Sequence, residues 1–423
     1  MTEREPEIVV GGREQLLQLL AEAAEIEHTL MCSYLYAAFS LKDGSEPGLS
    51  AAQGEAVRRW RAVIMDVAVQ EMAHLLMVGN LAIALGGRPH LARPNFPVTP
   101  GYFPSGVVVR LAPFDRDTLD HFVFLERPTG HALPDGRGYD DEPDYVREQA
   151  YRGLTPSLQD YATVGHLYEA VRTNLVEASR QLGEARLFVG SAAAQIGPPT
   201  VDLPGVAVVD GLEAALRAID TIVEQGEGSP GDRDDSHYLA FLSIRDEYER
   251  LRADDPGFEP AWPAAENPVM RRPPEPEGKV YVDEPAAARV LDFSNAVYAM
   301  LLRLLVQAWG TRPTEGTGAA LMSAAIDLMH VLGRSATALT RMPASRAVPG
   351  VRAGMSFTSL RGADAPFEQA AEAALIDERL AELHGAARTA ERANAALAGL
   401  ADELAGVRTR LAEQLGHRND AHG

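Results

Sequence analysis

Cysteine is almost missing from the chain. Cys32 stands alone among 423 residues, which excludes an internal disulfide framework and any cysteine-rich zinc or iron–sulfur site. Basic residues are few beside acidic ones, 39 Lys and Arg against 60 Asp and Glu, giving a formal net charge of −21. Nucleic acid and anionic membrane both call for a basic face, so neither is expected as a partner. No apolar run reaches the ~18 residues of a membrane helix; the densest, Ala296 to Val306, is broken by Arg303. The opening Met-Thr-Glu-Arg-Glu-Pro-Glu is acidic and has no apolar region after it, unlike a secretion signal. The expectation is a reduced, cytoplasmic chain long enough for two to three domains at roughly 100–200 residues each.

What is present is helical period. Leu16, Leu20, Ala23, Glu27, Leu30 and Tyr34 recur every three or four residues and predict a helix over 14–41. Trp60, Ile64, Val67, Glu71, His74, Val78 and Leu81 predict a second, stopped by Gly86-Gly87. Residues 88–115 hold Pro89, Pro94, Pro97, Pro100, Pro104 and Pro113, so that stretch reads as a long loop of the functional kind, with a short strand at Val107–Val109. A third apolar region covers 117–126. The next helix is expected after Thr155-Pro156, with Tyr161, Val164, Tyr168, Val171 and Leu175 on one side. Leu212, Leu216, Ile219 and Val223 define another, and His237-Tyr238 opens the one after it. Three divisions follow: a helical domain over 13–252, a connecting segment over 253–285, and a helical region over 286–423. In the last, Leu397, Leu400, Leu404, Val407, Leu411 and Leu415 form a near-heptad seam. Its expected occupant is the chain itself, with a homodimer second.

The chemistry lies in ionisable residues placed on apolar stripes, where a charge is disfavoured unless something compensates it. Glu27 occupies such a place on the first helix. Glu71 and His74 form an E-x-x-H pair on the second, which aims two ligand atoms the same way. Four-helix carboxylate sites take a Glu from each of two helices and Glu-x-x-His from each of the other two. For the second half of a two-metal site, the third helix offers Glu169, beside the open space of Gly165, or His166. The fourth offers Glu227, favoured by phase over Glu224, and His237 returns across the intervening loop. Tyr34 and Tyr168 lie in register beside the metal positions as candidate electron or proton carriers. No phosphate-cradling glycine loop or nucleophile elbow is present, and Cys32 reads as a small buried hydrophobe.

These residues resemble a known family. Glu25-Ile-Glu27-His28, Gln70-Glu71-Met-Ala-His74, Gly165-His-Leu-Tyr168, Gln225-Gly-Glu227 and Ser236-His237-Tyr238 are similar to ferritin-like proteins. More narrowly, they resemble the branch associated with iminophenylpyruvate dimer synthase, which also shares the phrases Tyr102-Phe-Pro104 and Phe122-Val-Phe-Leu-Glu126-Arg-Pro128. The resemblance spans about residues 13–250. It implies an all-α fold, a ferritin-like four-helix bundle with long Pro-rich insertions and an additional C-terminal helical region. It also implies iron as the usual metal. An acidic residue often stands at the position of His166, which leaves the third-helix ligand open between Glu169 and His166.

The first functional expectation is an oxidase or oxygenase using two irons, with manganese as the alternative, because carboxylates and imidazoles suit these ions. O2 or peroxide would be the oxidant. By resemblance, the substrate is a small amino-acid-derived or aromatic metabolite of specialised metabolism. The Pro-rich loop with Phe96, Tyr102 and Phe103 would close an apolar pocket over it. Two alternatives stand beside this: a non-catalytic metal-binding scaffold for a pathway partner enzyme, and a single-metal hydrolase using Glu71 and His74 alone.

Overall fold

The computed structural model describes residues 8–98, 102–103, 108–139, 161, 163–226, 236–274, 277–310, 316–360 and 369–416. By contact density the chain divides into two compact units, 1–198 with 202–261 and 199–201 with 262–423. The division falls inside the segment expected to connect two halves. Phe258 is fully buried against Trp60, ring centroids 6.0 Å apart, and Lys42 N–H donates to the Pro260 carbonyl at 2.9 Å. These contacts hold residues 255–261 to the first unit.

The first unit is built on α1 (Arg13–Ser40), α2 (Ala51–Ala84), α4 (Val164–Leu182) and α6 (Leu212–Gly226). α1 packs on α2 and α4, and α6 closes the ring against α4 and α2, giving the expected four-helix bundle. Two shorter elements flank it: α3 (Arg116–Leu125) and α7 (His237–Asp254), which packs on α2 and α3. α5 is a single turn, Glu184–Leu187.

Side-chain caps start these helices. Ser50 and Gln53 form a reciprocal capping box at α2, and Asp115, Thr163 and Ser236 each accept a backbone N–H at the heads of α3, α4 and α7. Each such cap stabilises by about 0.5–2 kcal/mol. α4 therefore begins at Val164, later than the Thr155-Pro156 start read from sequence; those two residues lie outside the described set. The strand expected at Val107–Val109 reduces to one bridge, Val109 with Val98, and Val107 lies outside the described residues.

The second unit pairs α8 (Pro285–Ala308) with α9 (Thr317–Leu339), and α10 (Gln369–Ala393) with α11 (Leu400–Gly416). β1 (Pro268–Val269) and β2 (Val280–Tyr281) make a short parallel pair ahead of α8. Leu397, Leu400, Leu404, Val407 and Leu411 are buried, with α11 packed on α10 and α9, so these seam residues are covered by the chain's own helices. α2 and α8 are long and apolar enough to cross a membrane by length and composition. Most of each apolar window is nevertheless buried against neighbouring elements of its own unit, as in core helices.

Candidate metal centre

Four ionisable residues from three helices converge in the core of the bundle. Glu27, Glu71 and His74 are each 2% exposed and His237 is 1% exposed, a degree of burial that charged groups tolerate only when paired or ligating. His74 Nδ1 lies 3.0 Å from Glu71 Oε2 and 3.3 Å from Glu27 Oε2. His237 Nδ1 lies 3.1 Å from Glu71 Oε1 and 3.7 Å from Glu126 Oε2, without an aligned hydrogen bond to either. Two triads result, Glu27–Glu71–His74 and Glu71–Glu126–His237, and in each the ligand atoms lie within 4.8 Å of one another. Glu71 belongs to both, with one carboxylate oxygen turned to each imidazole.

The surroundings repeat across Glu71. Tyr168 O–H donates to Glu27 Oε1 at 2.5 Å, and Tyr34 O–H donates to Glu126 Oε1. His74 Nε2–H donates to Gln225 Oε1 at 2.9 Å, and His237 Nε2–H donates to Gln70 Oε1 at 3.0 Å. Each imidazole is thus anchored at Nε2 by an amide oxygen, so its Nδ1 is the atom offered to the cluster. The two rings stack with centroids 5.5 Å apart and planes 27° from parallel.

The electrostatics favour a protonated Glu27 and protonated imidazoles around an ionised Glu71. Burial, then the neighbouring charge of Glu71, pushes the Glu27 carboxyl up to about 8. Burial also opposes charge on Glu71, but His237, the hydrogen bond from Glu27, and His74 outweigh it and hold that carboxyl well below the usual range. For His237, burial works against the imidazolium, while Glu71 and Glu126 prevail and raise it to about 9. His74 behaves alike, raised by its hydrogen bonds to Glu27 and Glu71 against burial. Burial raises both tyrosines well above 10, helped by the carboxylates they face. Their role here is to donate hydrogen bonds to Glu126 and Glu27.

Of the residues expected from sequence, the structure brings together Glu27, Glu71, His74 and His237, with Tyr34 and Tyr168 beside them. It does not bring in Glu169, which is exposed and accepts from the Thr173 hydroxyl at 3.3 Å. One residue past buried Tyr168, its side chain is carried about 100° round the helix and away from the cluster. His166 also stands outside the two triads, half-buried on the first turn of α4. Glu227 lies outside the described residues.

The α6 phase also differs from the one read in sequence. Its buried stripe is Ala215, Ala218, Ile219 and Ile222, with Leu212, Leu216 and Val223 only half-buried. Continued by three residues, that stripe reaches Gln225, which meets His74; Glu224 is exposed.

Glu126 is the member of the cluster that helical period alone does not find. It is the C-cap of α3 and 6% exposed. The signal is an anomaly: a helix C-terminus carries partial negative charge and disfavours a carboxylate, so an apolar helix ending in Glu126 needs an outside partner.

Both glutamines are expected to matter to metal retention. Gln70→Leu or Gln225→Leu should weaken the binding of a divalent ion about 10–100-fold, the usual cost of losing such an outer partner. Competition with a colorimetric chelator measures this, and an unchanged affinity in both variants would count against Nδ1 ligation.

A second cavity adjoins the cluster. It is lined by Ile26, Thr29, Leu30, Phe103, Val109, Leu125, Arg127, Tyr161, Thr163 and Val164, and it shares Leu30, Leu125 and Val164 with the walls of the cluster. Of the loop aromatics expected to close a pocket, Phe103 lines this cavity. Phe96 instead lies under the Arg93 guanidinium, and Tyr102, half-exposed, donates to Glu25 at 2.8 Å.

A family model described as Ferritin-like matches residues 20–246. Among curated proteins, the chain is 30% identical over 385 residues to dichlorochromopyrrolate synthase of Lentzea aerocolonigenes, covering 82% of this chain and 36% of that protein. It is 29% identical over 353 residues to 2-imino-3-(indol-3-yl)propanoate dimerase of Chromobacterium violaceum, covering 79% of this chain and 33% of that protein. The chain therefore spans about a third of the length of the curated relatives it matches. Among solved structures, a ferritin-like protein from Caulobacter vibrioides is 19% identical, with a TM-score of 0.49, covering 83% of this chain and 100% of that one.

Proposed function

The chain belongs to the ferritin-like family, and within that family we propose for it an oxidase or oxygenase that uses two irons and O2 or peroxide on a small, amino-acid-derived metabolite. The observation that carries this reading is the shared carboxylate: Glu71 offers one oxygen to each of two imidazole-containing triads. The donor set fits iron, with three carboxylates, two imidazole Nδ1 atoms and no thiol in either triad. His237 Nδ1 is buried and faces two carboxylates, a placement that suits a ligand atom. Manganese suits the same donors.

Glu27, Glu71 and His74 would hold one ion, and Glu71, Glu126 and His237 the other. When bound, such a pair of irons exchanges electrons with O2 or peroxide and with a substrate, the redox capacity that neither carboxylates nor imidazoles possess. The protein's own part is orientation. Tyr168 and Tyr34 pin the outer carboxylates, Gln225 and Gln70 pin the imidazoles, and the apolar helices keep water from the cluster. The name of one relative, 2-imino-3-(indol-3-yl)propanoate dimerase, points to an indole-bearing imino acid, and an aromatic acid of that kind is the substrate proposed here.

The test is metal content followed by reaction with oxygen. Protein purified without added metal, then reconstituted anaerobically with ferrous iron, should hold about two ions per chain and give a transient absorbance on exposure to O2. One ion per chain would favour a single-metal site, and folded protein retaining none would remove the oxidase reading and favour a scaffold.

A further inference from the structure

We propose that the apolar cavity beside the cluster is a holding site for dioxygen, and that it favours O2 over peroxide as the oxidant. This rests on the oxidase reading and narrows the co-substrate that reading leaves open.

The cavity is small. Its volume, about 30 Å³, suits a water or a diatomic molecule and excludes an aromatic metabolite. The wall is mainly aliphatic and aromatic, with Ile26, Leu30, Leu125 and Val164 on the helices and Phe103 and Val109 from the Pro-rich loop. A buried water settles where about two to four polar groups await it. Among the described residues, the polar side chains at this wall already have partners. The Thr29 hydroxyl donates to the Glu25 carbonyl at 2.6 Å, and the Tyr161 O–H to Glu22 Oε1 at 2.7 Å. Thr163 is paired with the Thr129 hydroxyl at 2.9 Å and accepts the His166 N–H at 3.2 Å. The Arg127 guanidinium lies 3.7 Å from the centroid of the Phe124 ring, and its Nη1 donates to the Phe124 carbonyl. A cavity so lined stays dry and accepts small apolar guests, as apolar voids accept xenon.

Polarity then separates the two oxidants. Hydrogen peroxide carries O–H donors and lone pairs, and burying them unpaired costs free energy. O2 has no donor, is weakly hydrated, and passes readily from water into apolar surroundings. Position gives the cavity its use. Leu30, Leu125 and Val164 line both this cavity and the space around Glu27, Glu71, Glu126 and His237. A layer of side chains thus parts a held gas molecule from the carboxylates, and rotamer changes in that layer let a diatomic through.

The experiment begins with crystals of the metal-free full chain pressurised with xenon, which should show xenon in this cavity. Val109 borders the cavity and not the cluster, so Val109→Phe fills the space from the far side and should abolish that xenon site. In the chain reconstituted with ferrous iron, stopped-flow mixing should show the reaction of Val109→Phe with O2 slowed several-fold and its reaction with peroxide unchanged. Iron content and a thermal melt establish that the variant is loaded and folded; if Val109→Phe is not, Val109→Leu carries the same comparison with a smaller effect.

Ordered water in the cavity in place of xenon, an O2 rate indifferent to filling it, or equal slowing with O2 and peroxide would overturn the proposal. Its failure is separable from that of the oxidase reading. Iron retained with no xenon in the cavity removes the gas site alone. Xenon held by a chain that retains no iron removes the oxidase reading, and with it the use of the cavity, but not the cavity's affinity for gas.

Discussion

Glu71→Ala should empty both metal positions at once, whereas His237→Ala should empty one. The distinction follows from the two-sided placement of the Glu71 carboxylate, 3.0 Å from His74 Nδ1 through one oxygen and 3.1 Å from His237 Nδ1 through the other. Removing it takes a ligand from each triad and leaves two buried imidazoles with reduced compensation. The metal-free fold should therefore also lose stability, by about 3–5 kcal/mol, as when one member of a buried charge pair is deleted. His237→Ala leaves Glu27, Glu71 and His74 in place, so about one ion per chain should remain by elemental analysis. Glu71→Gln separates the two effects, since it keeps the volume and some hydrogen bonding while losing the bridging charge. Equal metal loss in Glu71→Ala and His237→Ala would mean that the two triads do not hold separate ions.

The second large effect is on pH. Glu27 keeps its proton up to about 8 and His237 up to about 9, and a metal must displace both. Affinity should then climb about tenfold or more per pH unit from pH 6 to 8. The stability of the metal-free protein runs the other way. Glu27 is raised, so the unfolded chain loses that proton first, and the neutral form's contribution fades as pH climbs from 4.5 to about 8. His237 is raised too; its contribution is complete below 6.5 and gone above about 9. Glu71 is depressed, so its contribution is present above 4.5 and does not change over this window. Melting temperature without metal should fall between pH 6.5 and 9, while metal loading restores it. Calorimetry of metal uptake in two buffers of different ionisation heat counts the released protons, and a heat independent of buffer would contradict this account.

Much of the bundle was legible because α1 and α2 carry long, regular stripes. Their odd members, Glu27, Glu71 and His74, are chemically out of place in a core. His237 was legible through its place at the head of a helix after a breaker cluster. The rest escaped for physical reasons. On α6 the close approach to its neighbours is made by Ala215 and Ala218, so ranking by hydrophobicity alone puts Leu216 and Val223 on the wrong side and misses Gln225. On α4 the cluster is met by Gly165 and Tyr168, so the expectation of an acidic ligand there, Glu169, follows the general four-helix pattern and not this chain. Glu126 sits past the last turn of a ten-residue helix, where periodicity has nothing left to say.

Glu126 closes α3 and His237 opens α7, and each bears the sign of charge that its helix end disfavours. Such mismatches cost about 0.3–1 kcal/mol apiece. A design routine set to harden this protein would therefore single out both positions, exchanging the acid for a base at one and the base for an acid at the other. Each exchange would give a better helix and dismantle the Glu71–Glu126–His237 triad. At these two residues, thermal robustness and ligand placement compete for the same side chain.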